Sequence, residues 1–205
     1  NWADCKGITP IAPRDNPLRA DWNLGNDFIV GYSGNLGRAH EFEPILAAIQ
    51  TIEHDDDQST RRSIRWLFIG GGHAFERLKE EVDKRGLTSV VFRHYQPRSQ
   101  LAQSLSAADV HIVTLKPELE GLIVPSKFYG IAAAGRAVLF IGVSGGEIDR
   151  LTQQHNCGQT VANGDGKALA NAILELARDP QLTSRMGENA RRACEDFYDK
   201  SIAIQ

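Results

Sequence analysis

Trp66-Leu67-Phe68-Ile69-Gly70-Gly71-Gly72-His73 decides the fold of this chain. Four apolar residues stand in a row, glycines follow at once, and a helix-like stretch begins behind them. A half-exposed strand would alternate apolar with polar residues. An unbroken run is the pattern of a strand covered on both faces, as in a parallel sheet between helices. Working outward, the pattern recurs in Phe28-Ile29-Val30 and in Val138-Leu139-Phe140-Ile141. Strands are expected near 28–33, 64–69, 90–93, 109–115, 137–141 and 159–162. Helices are expected near 40–52, 74–85, 98–107, 125–134, 146–154, 166–178 and 181–198, with Asp179-Pro180 parting the last two.

Regular alternation of strand and helix implies right-handed crossovers and an α/β fold. The expectation is a doubly wound, Rossmann-like parallel sheet of about six strands with helices on both faces. In the common strand order 3-2-1-4-5-6, ligands bind where the loops leaving strands one and four diverge. Here those loops are 34–39 and 116–124. Residues 1–27, broken by Pro10, Pro13 and Pro17 and lacking a periodic apolar face, read as a linker or N-terminal extension. The domain proper is then 28–205. Glu53-His54-Asp55-Asp56-Asp57 reads as a solvated loop.

The chain of 205 residues is long enough for a real core, and 41% apolar with 24% charged residues is an ordinary globular balance. A formal net charge of −3 gives no electrostatic footprint for nucleic acid. Cys5, Cys157 and Cys194 form no C-x-x-C pair, and their odd number argues against a disulfide framework. That points to a reducing, cytoplasmic setting. No apolar run approaches a bilayer span, and the start does not read as a signal peptide. The chain begins at Asn1-Trp2 rather than Met, as expected of a piece of something longer.

Two stretches carry chemistry. Glu120-Gly121-Leu122-Ile123-Val124-Pro125-Ser126-Lys127 runs from an apolar strand into a Pro-started helix bearing a lysine. Helix starts present free N–H groups and partial positive charge, so a cation there calls for a compensating anion. Gly34-Asn35-Leu36-Gly37-Arg38 leaves the first strand, with glycines that permit close backbone approach and a guanidinium fork for phosphate. Together they suggest a pocket for a nucleotide diphosphate. The turn does not match G-x-G-x-x-G, and Gly70-Gly71-Gly72 stands where a ribose-binding acid would be, which argues against a nicotinamide cofactor. Gly142-Val143-Ser144-Gly145-Gly146 matches the G-x-S-x-G of a hydrolase elbow. Its partners fail, because only His155 follows Ser144 and Asp149 shares its helix. Backbone N–H groups facing a ligand are the better reading of that helix start. No histidine has a second ligand at metal spacing, so His40, His73, His94 and His111 read as structural or solvated. His40 and His73 lie beside the expected cleft. Lys127 reads either as a surface lysine or as the anion partner, and Glu120 as a solvated loop residue or a site residue.

The ordered set Tyr32-Ser33-Gly34-Asn35-Leu36-Gly37-Arg38, Phe68-Ile69-Gly70-Gly71-Gly72, Pro125-Ser126-Lys127-Phe128-Tyr129-Gly130 and Ala132-Ala133-Ala134-Gly135-Arg136 resembles the retaining glycosyltransferases of the "glycosyl transferases group 1" family. Their architecture, GT-B, sets two Rossmann-like domains face to face. The likeness covers only the C-terminal, donor-binding half, and is nearest in flavour to enzymes of bacterial exopolysaccharide, colanic acid or O-antigen synthesis. Asn1-Trp2-Ala3-Asp4 resembles the family's interdomain linker. The resemblance implies that Gly34, Asn35, Gly37 and Arg38 face the donor diphosphate and that Gly70, Gly71 and Gly72 line the nucleotide pocket. His94 and Tyr95 would fall by the base, and Pro125, Ser126 and Lys127 beside the diphosphate. Arg38, Lys127 and Glu120 would form the catalytic set. It implies a UDP-sugar donor, no metal or other cofactor, a missing N-terminal acceptor domain, and a parent enzyme in the cytoplasm, peripheral to the inner membrane. The family's E-x7-E pair is incomplete. Its second glutamate falls on Gly130, and its first on Leu122, with Glu120 as the candidate replacement. A basic residue often follows the glycine turn; Glu41-Phe42-Glu43 stands there instead, and Lys127 would supply the charge. A non-catalytic nucleotide-binding domain and half of a nucleotide-sugar epimerase are the alternatives.

Overall fold

The computed structural model describes residues 2–54 and 64–203. Six strands form one sheet: β1 Phe28–Asn35, β2 Ile64–Gly71, β3 Val90–Arg93, β4 Val110–Thr114, β5 Ala137–Ile141 and β6 Gly158–Val161. Their order is β3-β2-β1-β4-β5-β6 and every pairing is parallel. The expected order and switch point are therefore present. Before β1 lies α1 Pro17–Asp21, and between the strands lie α2 Glu43–Glu53, α3 His73–Lys84, α4 Leu101–Ser106, α5 Lys127–Ala133 and α6 Glu147–Gln154. After β6 come α7 Gly166–Arg178, α8 Pro180–Ala193, a π-turn over Cys194–Tyr198, and α9 Lys200–Ala203.

The strand residues alternate between two buried faces. Val30, Tyr32, Trp66, Phe68 and Leu139 pack with Ile45 and Ile49 of α2, Leu78 of α3 and Ile173 of α7. On the other face Val113, Val138 and Phe140 meet Phe128, Ile131, Ile148 and Ala190 from α5, α6 and α8. Ile29, Leu67 and Ile69 meet Leu18, Trp22 and Leu24 there. Each large apolar side chain so buried contributes about 1.5–3 kcal/mol. The break at Asp179-Pro180 has the expected chemistry: the Asp179 carboxylate accepts from the Leu182 N–H at 2.8 Å, with proline in the first helical position.

Three expectations change. Residues 2–27 do not hang free as a linker would. Ala3, Cys5, Ile8, Leu18, Trp22 and Leu24 are buried, each filling its own niche, so no period betrays them. Within that segment Arg19, 3% exposed, pairs with Asp109 at 3.2 Å. It also donates to the Gly25 and Ala107 carbonyls. Second, Cys5 and Cys194 form a disulfide, with Cα atoms 6.2 Å apart. Their separation of 189 residues hides the pairing from any reading of spacing; the fold brings the two ends of the chain together, where Ala3 also bridges Asp199. Cys157 is the free thiol, and burial pushes its pKa up to about 12. Third, Glu53 is no solvated loop residue. It ends α2, and its carboxylate accepts from the Thr88 and Ser89 N–H groups at 3.0 and 2.7 Å, pinning the start of β3. Asp55, Asp56 and Asp57 lie outside the described residues.

Candidate functional site

The carboxyl ends of β1 and β2 run side by side, Gly34 opposite Gly70 and Asn35 opposite Gly71. The approach is too close for side chains. Gly70 has φ +143°, and a Cβ there would lie 2.1 Å from the Gly34 carbonyl oxygen. The turn after β1 is fastened to β2 through Leu36 N–H to Gly71 O at 2.8 Å, and to α3 through Ala74 N–H to Leu36 O at 3.0 Å. It is fastened to the loop after β4 through Lys116 N–H to Ala39 O at 3.1 Å. Loops 34–39 and 116–124, expected at the switch point, are thus physically joined there.

Lys127 reaches into this junction from the first turn of α5. Its ammonium donates to the Asn35 carbonyl at 3.2 Å and meets His40 Nε2 at 2.9 Å. It stands 5.3 Å from the centre of the Tyr32 ring. The stem passes so near Gly34 that a Cβ there would be 2.8 Å from Lys127 Cε. Among the described residues no carboxylate pairs with the charge, contrary to what a lysine on a helix start suggests; a carbonyl and an imidazole hold it instead. Burial lowers the pKa of Lys127 to about 8. His40 is also lowered, first by burial and then by the cation beside it, while its bond to the Thr114 carbonyl opposes the shift. Tyr32 is buried beneath, its hydroxyl donating to the Asn35 carbonyl at 2.9 Å, and burial raises its pKa.

The other expected residues divide. Arg38 is exposed on the turn and makes no hydrogen bond or ion pair with a described residue. Gly71 lies under the exposed Tyr95 ring, 3.4 Å from a Cβ built on the glycine, so the β2 glycines and the loop after β3 share one side of the cleft. His94 and His73 are exposed. Pro125 is buried and Ser126 exposed. The Phe128 and Tyr129 N–H groups at the start of α5 already bond Pro125 O and Ser126 O.

Glu120 lies elsewhere, at the start of α6, where its carboxylate accepts from the Glu147 N–H at 2.9 Å. Gly146 makes the room, since a Cβ on it would meet that carboxylate at 2.7 Å. The Gly145 N–H bonds the Asp149 carboxylate at 2.6 Å. The α6 start, expected to offer N–H groups to a ligand, thus has these two satisfied by its own chain, because acids on α6 and on the β4 loop reach them first. His155 bonds the Tyr198 hydroxyl at 2.8 Å and stacks among aromatics, which disposes of a Ser144 triad. His111 is buried with Nε2 on the Leu105 carbonyl at 2.8 Å, and burial takes its pKa down to about 4. Among the described residues no group of three or more His, Cys, Asp or Glu is placed to hold a metal ion. A cavity of about 690 Å³ lies at the opposite, amino edge of the sheet, between Phe28, Arg136 and α8, away from these loops.

Asn35 and His40 were placed by the cleft from the sequence; their joint hold on Lys127, with Tyr32 beneath, was not. The chain shows a tyrosine in a strand and a histidine past a turn. Only the packing of α5 beside the carboxyl ends of the strands reveals that they converge on one lysine.

The family model described as "Glycosyl transferases group 1" matches residues 15–193. The chain belongs to that family. It is 28% identical over 205 residues to the probable glycosyltransferase WbjE of Pseudomonas aeruginosa, covering 100% of this chain and 49% of that protein. The chain therefore spans about half the length of that curated relative. Among solved structures, the Anabaena HepE complex with UDP-glucose superposes with a TM-score of 0.77 at 20% identity, over 97% of this chain and 52% of that one. The C-terminal domain of the group 1 protein LpcC from Francisella tularensis superposes with a TM-score of 0.73 at 16% identity, over 97% of this chain and 99% of that domain. The group 1 chain thus has the Rossmann-like fold of a GT-B C-terminal domain. No helix among its described residues is long and apolar enough to cross a membrane.

Proposed function

We propose that this chain is the donor-binding half of a retaining glycosyltransferase that takes a nucleotide-diphosphate sugar, with UDP as the nucleotide, in bacterial polysaccharide synthesis. The observation that carries the reading is the Lys127 ammonium, held at the glycine turn where the β1 and β4 loops meet. That is the position of ligands in doubly wound sheets, and the charge suits a diphosphate. The UDP-glucose bound to HepE, which shares the fold, supports the choice of donor.

In this reading the diphosphate lies across Gly34–Gly37, and the base lies by Gly70–Gly72 and His94–Tyr95. As the sugar's anomeric bond breaks, negative charge grows on the leaving phosphate. Lys127, fixed beforehand, and Arg38 on the glycine turn stabilise it with no metal required. Glu120 is the loop carboxylate proposed to stand by the sugar. Acceptor recognition and the remaining catalytic groups belong to a facing N-terminal domain, so this chain alone shows little transfer. The parent works in the cytoplasm, peripheral to the inner membrane, where nucleotide sugars are available; the cysteines no longer support that placement.

Calorimetric titration with UDP and UDP-glucose, using Lys127→Ala and Arg38→Ala, tests the site. Both variants should bind more weakly than wild type, and unchanged affinity in both rejects the assignment. Gly130, in place of the family's ribose glutamate, favours one other reading, a nucleotide-binding domain without transfer activity. Sugar transfer by the full-length parent separates the two.

A further inference from the structure

Lys127 is held as well as placed. An ammonium has three protons to give. One goes to the Asn35 carbonyl at 3.2 Å and a second to His40 Nε2 at 2.9 Å. The Asn35 carbonyl also accepts from the Tyr32 hydroxyl, so both of its lone pairs are engaged. On the ring, His40 Nδ1 meets the Thr114 carbonyl at 2.8 Å. A carbonyl only accepts, so Nδ1 carries the ring proton and Nε2 is left as the acceptor for the ammonium. Both imidazole nitrogens are committed. The third ammonium proton has no partner among the described residues.

The ring also ties two elements together. His40 sits on the loop after β1, while Thr114 is the last residue of β4. Its backbone is fixed nearby, since the Glu41 N–H bonds Thr114 Oγ1 at 3.3 Å. The titratable and charged groups around the ring are Lys127 from α5, Tyr32 from β1 at 6.0 Å between ring centres, and neighbouring Glu41. The Glu41 carboxylate is engaged elsewhere, with Asn163 Nδ2 at 3.0 Å.

We propose that His40 is a positioning residue for diphosphate binding: its Nδ1-protonated ring, anchored on Thr114, holds the Lys127 ammonium at the glycine turn so that the uncommitted N–H faces the donor's phosphate. This rests on the donor-site reading above. A free lysine stem loses much rotamer freedom when a ligand fixes it, and His40 takes that cost before the ligand arrives.

The test is calorimetry near pH 7, where the ring is neutral and the ammonium charged, with UDP and uridine as probes. His40→Ala should weaken UDP binding about tenfold through lost preorganisation while uridine, lacking phosphates, changes less than about twofold. His40→Gln, whose amide oxygen accepts the same proton, should keep UDP affinity within about twofold. On a Lys127→Ala background, His40→Ala should have no further effect. Equal losses for UDP and uridine, losses that multiply in the double variant, or an unaffected His40→Ala each overturn the proposal. Nitrogen NMR of the imidazole supplies a readout independent of ligand. Wild type should show the Nδ1-protonated tautomer, and Lys127→Ala should raise the His40 pKa by removing the neighbouring cation. The other tautomer or an unmoved pKa refutes the clamp. If wild type binds neither UDP nor UDP-glucose, the donor-site reading fails and the nitrogen spectra alone decide the His40–Lys127 link.

Discussion

Raising the pH should switch off the proposed diphosphate site within a range where the fold survives. The ammonium of Lys127 has its pKa lowered to about 8 because burial penalises the charged form. The charge is present below that value and lost above it. One pH unit above it, only about a tenth of the molecules carry the charge, so the apparent dissociation constant for UDP should rise about tenfold. The ceiling is set by the interaction itself. A charge-assisted hydrogen bond contributes about 1.5–3 kcal/mol, or roughly a 10- to 150-fold change in affinity, which Lys127→Ala should lose at neutral pH. Arg38 is present in both proteins and supplies a common background. The assay is calorimetric titration of UDP at several pH values between neutrality and moderate alkalinity, on wild type and Lys127→Ala. Titration of the uracil ring affects both proteins alike and cancels in their ratio. The two curves should converge as pH rises. A wild-type advantage that persists undiminished above the lysine's pKa refutes the reasoning. Stability should move the other way: a buried ammonium lowers stability until it deprotonates, so Lys127→Met should raise the melting temperature at neutral pH.

Other perturbations test the frame. Gly70→Ala would place a Cβ 2.1 Å from the Gly34 carbonyl at positive φ. It should cost roughly 2–4 kcal/mol, read as a drop in melting temperature and loss of UDP binding together. Arg19→Ala leaves the Asp109 carboxylate without its guanidinium. A loss of about 3 kcal/mol in denaturant unfolding is expected, partly recovered by Arg19→Ala/Asp109→Asn. Reducing the Cys5–Cys194 disulfide should lower stability by about 2–4 kcal/mol, and Cys5→Ser should make the melting temperature insensitive to dithiothreitol.

Much of the fold was legible because its signal is local. Runs such as Val138-Leu139-Phe140-Ile141 have no polar side chain to offer solvent, so both faces must be covered. The glycines at Gly34 and Gly70 were legible for a related reason: a residue without Cβ marks a close approach even before its neighbour is known. Lys127 was legible as a charge in an unfavourable place. What the chain did not show was its clamp, because Thr114 of β4 and Lys127 of α5 reach Asn35 and His40 only when the sheet and its helices assemble. The anchor of Glu120 was hidden for the same reason: nothing local says that a loop carboxylate will reach the start of α6. The disulfide joins residues at opposite ends of the chain, and the packed segment 2–27 fills niches made by others.

By itself, then, the sequence determined the doubly wound parallel sheet and the glycine and lysine loops that leave it, while the strand order, the common one, is seen only in the structure. Hydrophobic runs and turn residues act over a few positions, and parallel topology follows from their alternation. Tertiary structure alone decided which partners hold the ammonium, where Glu120 rests, and that the two chain ends are joined. Hydrogen bonds and ion pairs act over about 3 Å in space, with no regard for separation along the chain.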